Sequence, residues 1–143
     1  MQGQVHLDAC LTGMGAIFNS EIYSIKLPDK FHTENIATLE MLNILVAVKI
    51  WAKSWEKKTL KIFCDDEAVV SVLSSGKTKD DSLAAISRNI AMACAESDIS
   101  LSFHHIRGEK MLLQICYQDG KILKIKLKNW LLWPSIVYFK SLN

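Results

Sequence analysis

From about Thr33 to Trp55 the chain is apolar around nearly the whole circumference of a helix. Ile36, Leu39, Leu42, Val46 and Ile50 recur at helical spacing, and Ile44, Leu45, Ala47, Val48 and Trp51 occupy the remaining faces. A helix with so little polar surface belongs at the centre of a fold, largely buried. Within it stands Glu40, in Leu39-Glu40-Met41-Leu42. A carboxylate inside a buried helix is costly unless a partner or an ion uses its charge.

Strand-like runs surround this helix. Val5–Asp8 and Ala16–Phe18 flank Gly13-Met14-Gly15, which predicts a hairpin, and Glu21–Leu27 predicts a third strand stopped by Pro28-Asp29. Beyond Lys57-Lys58-Thr59 comes the strand Leu60–Cys64. Asp66-Glu67 then cap and charge a short helix running through Leu73 and ended by Gly76. Ser82–Ser97 reads as an alanine-rich amphipathic helix, and Ile99–Phe103 as a strand. The order βββ-α-β-α-α-β predicts an α/β fold with a mixed five-stranded sheet: three antiparallel strands, then parallel additions, flanked by helices.

Two more acids close apolar runs: Asp8 follows Val5-His6-Leu7, and Asp65 follows Leu60-Lys61-Ile62-Phe63-Cys64. If Asp8, Glu40 and Asp65 converge, they form a site for hard divalent cations. Blander roles compete. Asp8 could merely end a strand, Glu40 could pair with a lysine or a helix dipole, and either Asp65 or Asp66 could be only a helix cap.

The composition suits one intracellular domain. The 143 residues are half apolar, contain no apolar run long enough to span a membrane, and open without a secretory signal pattern. Cys10, Cys64, Cys94 and Cys116 form no C-x-x-C pair and read as reduced thiols. Charge is uneven. Residues 111–143 hold five lysines and one aspartate, whereas residues 1–110 hold twelve basic and fourteen acidic side chains. A domain that grips nucleic acid unaided is usually basic, so any such grip here depends on a metal site or a neighbouring domain.

Four blocks in order carry a resemblance: Asp8; the helical Leu39-Glu40-Met41-Leu42 ending in Trp51; Cys64-Asp65 heading Ala68–Gly76; and His105-Ile106-Arg107-Gly108-Glu109-Lys110. Together they resemble the type 1 ribonuclease H domain fused to reverse transcriptases of retrotransposons. The likeness spans residues 4–110, an RNase H-like domain of residues 1–110. It implies hydrolysis of RNA in RNA–DNA hybrids with 3′-hydroxyl and 5′-phosphate products, and a reverse transcriptase domain as ancestral neighbour. It also implies two Mg²⁺ ions, replaceable by Mn²⁺, that clamp the scissile phosphate about 4 Å apart. Asp8 would bridge both metals, with Glu40 and Asp65 completing the separate shells. Thr12, Asp66, Ser74 and His105 are weaker candidates for touching the nucleic acid.

In that family the terminal block reads H-I-x-G-x-x-N-x-x-A-D-x-L-S-R, and its aspartate is the fourth metal ligand. The matching position here is Ile115, which cannot bind a metal; Asp119 comes four residues late. With suitable codons, deleting one adenine from the family-like E-K-N-V-A-A-D-L-L-S-R-W yields E-K-M-L-L-Q-I-C-Y-Q-D-G, the sequence Glu109 to Gly120. Cys116-Tyr117 forces a leucine in the alternative frame whichever codons are used. Residues 111–143 therefore read as an atypical, out-of-frame tail replacing the last helix, and the reaction as impaired. The Lys-rich stretch at Lys121, Lys124, Lys126 and Lys128, followed by Trp130-Leu131-Leu132-Trp133, offers a second reading of the tail, as a membrane-surface or nucleic-acid-binding helix. A different class of function, a non-catalytic module for nucleic-acid binding or interdomain contact, remains open.

Overall fold

The structure, a computed structural model, describes residues 2–11, 13–19, 21–29, 35–107, 113–118, 121–127 and 136–141, with side chains between residues 3 and 107 of these. Three antiparallel strands come first: β1 (Gln2–Cys10), β2 (Gly13–Phe18) and β3 (Glu21–Lys26). The long helix α1 (Ile36–Trp55) leads to β4 (Thr59–Cys64), which lies parallel to β1. Helices α2 (Glu67–Ser75) and α3 (Asp81–Glu96) precede β5 (Ser100–His105), parallel to β4. The five strands thus stand in the order β5-β4-β1-β2-β3, the expected mixed α/β sheet.

The described residues of the tail form strands. β6 (Leu113–Gln118) and β7 (Lys121–Leu127) form an antiparallel hairpin, with β6 approaching β1 and β2. β8 (Ile136–Ser141) joins the sheet in parallel beside β3, making it six-stranded. The reading of the Lys-rich stretch as a helix is therefore corrected. Lys124-Ile125-Lys126-Leu127 alternates with the period of a strand, and a β-branched residue such as Ile125 suits a pleated surface.

Helix α1 packs on the face of the sheet built by Val5, Leu7 and Ala9 of β1 and their partners, and α3 packs against α1. This double cover explains why α1 is apolar nearly all round. Its last turns carry Trp51 and Trp55, which stack at 5.5 Å and meet Phe18 and Tyr23 of the sheet. Trp51 departs from helical dihedrals, and its indole N–H donates to Glu21 Oε2 at 2.7 Å. At 0–7% exposure these four rings are the bulkiest part of the core. Asn35 caps α1, accepting from the Ala37 amide.

At Gly3, between β4 and β2, a Cβ would lie 2.7 Å from Leu60 Cδ1 and 2.9 Å from Phe18 Cε1. The Leu60 end can yield more easily than the ring. Gly3→Ala is expected to lower unfolding free energy by about 1 kcal/mol in urea titration, the cost of overpacking a tight core.

Candidate metal centre

Because β1 and β4 are parallel neighbours, their carboxyl ends open on the same side of the sheet. Asp8 sits near the end of the first, and Asp65 directly follows the second. The β1–β4 ladder ends at His6↔Phe63, although β1 runs on to Cys10. Where the strands part, α1 inserts Glu40. Its Oε1 accepts from the Ala9 amide at 3.1 Å, replacing a ladder partner that β4 no longer supplies. Its Oε2 accepts from the Cys64 thiol at 3.7 Å.

Glu40 is only 1% exposed. Burial pushes its carboxyl well above the ordinary range, and the nearby charges of Asp65 and Asp8 push it further; the Ala9 amide opposes them. Asp66 adds a smaller push in the same direction. Asp65 is raised too, by burial first and then by Asp66, while its own backbone and His105 draw it down. The Cys64 thiol is pushed up by burial and by Glu40, so it acts as a neutral donor. Acidic groups thus act on one another through a poorly hydrated corner.

Glu40, Cys64 and Asp65 present ligand atoms that all lie within 4.8 Å of one another. Two of the three are hard carboxylate donors, and a bound dication would relieve the mutual repulsion that raises Glu40. The two carboxylates suit a hard divalent cation. Asp8 is not one of these three, but it lies near enough for its charge to act on Glu40.

The other candidates lie apart from this cluster or beside it. Asp66 is the N-cap of α2, its side chain accepting from the Val69 amide at 3.2 Å. Ser74 is an exposed residue of α2. His105 ends β5, exposed and in register with Cys64, close enough for its charge to act on Asp65. Thr12 and Asp119 fall outside the described residues. Ile115 lies on strand β6, opposite Ile125. Two contributors escaped the sequence reading. Cys64 was visible only as part of a block, and Asn43, one helical turn beyond Glu40, is a polar residue amid an apolar helix. That break in pattern was the available signal.

Strand order and crossover helices give the chain an RNase H-like α/β fold. Two solved structures share this fold across 76% of the chain. The RNase H1 of the halophilic archaeon Halobacterium salinarum NRC-1 superposes with a TM-score of 0.58 at 13% identity, over 88% of its own length. LC11-RNase H1, in complex with an RNA/DNA hybrid, gives a TM-score of 0.62 at 17% identity over 86% of its length; this protein was isolated from compost. At these identities the likeness is one of fold. No protein-family model and no curated protein matches the sequence. Among the described residues, no helix is long and apolar enough to cross a membrane.

Proposed function

We propose that the chain is the RNase H-like domain of a retroelement reverse transcriptase, built to hydrolyse RNA in RNA–DNA hybrids and impaired by loss of its fourth acidic ligand. The observation that carries this reading is the buried Glu40 carboxylate, whose ligand atom lies within 4.8 Å of those of Cys64 and Asp65 at the open ends of two parallel strands. A structural acid needs a cation or a proton in such company; a metal ligand needs the company itself.

Asp8, Glu40 and Asp65 are the residues that would hold Mg²⁺ or Mn²⁺. The ions, when bound, supply Lewis-acid stabilisation of the phosphate and activation of water. The protein's own part is preorganisation. Glu40 is fixed by Ala9 and Cys64, and Asp65 is set by the start of α2, where Asp66 caps the helix. The adjoining Asp66 adds negative charge on the side where a hybrid's phosphates approach, which weakens unassisted binding. The polyprotein origin is supported by the order of the four sequence blocks. The Lys-rich tail and the balance of the remainder fit a domain that relies on a neighbour for its grip.

Incubation of a labelled RNA–DNA hybrid with the chain and Mg²⁺ or Mn²⁺ tests this reading. Metal-dependent association is expected, weakened in Asp8→Asn, with little or no cleavage. Binding that is indifferent both to the metal and to Asp8→Asn would instead establish the non-catalytic module.

A further inference from the structure

Asn43 is completely buried in α1, three residues beyond Glu40 on the same helical face. Its Nδ2 donates to the Asp8 carbonyl at 3.1 Å and to the Gly15 carbonyl at 2.8 Å. Asp8 and Gly15 are register partners in β1 and β2. The Asn43 amide oxygen accepts from the Tyr23 hydroxyl, which fixes the end of the amide that faces the strands. Tyr23 also reaches the Asn43 backbone carbonyl at 3.0 Å.

Taken with Glu40, this network has a particular target. Asp8 C=O and Ala9 N–H belong to one peptide group, and α1 holds both: Asn43 grips the carbonyl and Glu40 the amide. In a trans peptide these groups point in opposite directions, so the plane cannot turn without breaking both bonds. The backbone immediately after Asp8 is therefore locked to the helix that carries Glu40.

We infer that Asn43 is a positioning residue, fixing the Asp8–Ala9 peptide and so the direction in which the Asp8 side chain leaves β1. This inference rests on the reading of Asp8, Glu40 and Asp65 as metal ligands and explains how two of them, on separate elements, keep one geometry. Residues behind a ligand that hold its orientation typically change metal affinity by about 10–100-fold when removed. The Tyr23–Asn43 pair supplies that support without contributing a ligand atom.

Mn²⁺ titration by calorimetry tests it, paired with amide hydrogen exchange at Ala9 in the metal-free chain. Asn43→Ala is expected to weaken Mn²⁺ binding about tenfold, at the lower end of the effect of such supporting residues, and to speed Ala9 exchange. Ile44→Val, a buried neighbour outside the network, should leave both unchanged. Equal affinity in Asn43→Ala and the unmodified chain overturns the inference, as does an equal loss in Ile44→Val. Should Asn43→Ala fail to fold, Tyr23→Phe takes its place. It keeps both Nδ2 bonds but releases the amide oxygen, and a smaller loss of roughly threefold is expected, below the range for removing the supporting residue itself; no loss overturns the proposal. Asp8→Asn separates the two ideas. If it leaves Mn²⁺ binding unaltered, the metal-site reading falls, while accelerated Ala9 exchange in Asn43→Ala still shows the peptide clamp.

Discussion

If the proposed loss of one base is right, restoring an adenine after the Lys110 codon so that the chain continues through A-D-x-L-S-R is expected to raise hybrid cleavage at least about 100-fold over the unmodified protein. The expectation follows from charge. Two dications held close together need several carboxylates, and losing one ligand removes about 3–4 kcal/mol of transition-state stabilisation, or roughly 10²–10³ in rate. By the resemblance, the position of that ligand falls on Ile115, which lies on strand β6 opposite Ile125. Changing the side chain alone therefore leaves a strand at a place where the resemblance implies a helix. Ile115→Asp is expected to recover much less than the frame-restored chain. Cleavage is read from the 5′-labelled RNA strand with Mg²⁺ and then Mn²⁺. Vigorous cleavage by the unmodified protein would refute the proposed impairment. A frame-restored chain that folds but gains nothing would remove the lost base as the cause.

The acids at the carboxyl ends of β1 and β4 were legible because each closes an apolar run, a pattern that depends only on strand period and the cost of burying charge. The same holds for α1, whose unbroken apolarity places it between the sheet and α3. Its kink at Trp51, whose indole donates to Glu21, has no local signature in the sequence. The cap of α2 was partly legible, since Asp66-Glu67 stand at the start of the helix. Asp65 and Asp66 are chemically alike in sequence, and the Asp66 bond to Val69 separates them. Asn43 shows the same limit more sharply. A single asparagine in a helix is compatible with many environments, and its meaning here comes from carbonyls on two strands far away in sequence. In the tail, lysine spacing suggested a helix face, whereas residue-by-residue alternation governs the backbone of β7. Neither the hairpin nor the attachment of β8 to β3 has a local signature, since strand pairing is set by the partner as much as by the segment.

Glu40→Gln is expected to stabilise the metal-free domain. The new side-chain amide would retain an oxygen for the Ala9 N–H, and its NH₂ would face the Cys64 sulfur, while the charge repelled by Asp65 and Asp8 would be gone. Replacing a buried charge in this way is worth about 1–3 kcal/mol, or a rise in Tm of roughly 4–10 °C for a domain of this size. The sign follows from proton linkage. Folding raises the carboxyl of Glu40 above its ordinary value of 4.5, so the folded state holds this proton more tightly than the unfolded chain. The Glu40 contribution to stability is complete below that value and is lost as pH rises through the elevated folded one. Asp65 works in the same direction. Thermal melts in EDTA from about pH 4.5 to 8.5, a span that begins at the unfolded carboxyl's own titration, should therefore show the gain of Glu40→Gln growing with pH. Mg²⁺ should narrow the difference, because a cation favours the ionised carboxylate and stabilises only the chain that has it. A variant whose advantage is constant across this range would show that Glu40 does not change its charge on folding there. A lower Tm near pH 8, well above the ordinary carboxyl range, would show that its hydrogen bonds outweigh its charge, and the description of Glu40 as a carboxylate waiting for a cation would have to be abandoned.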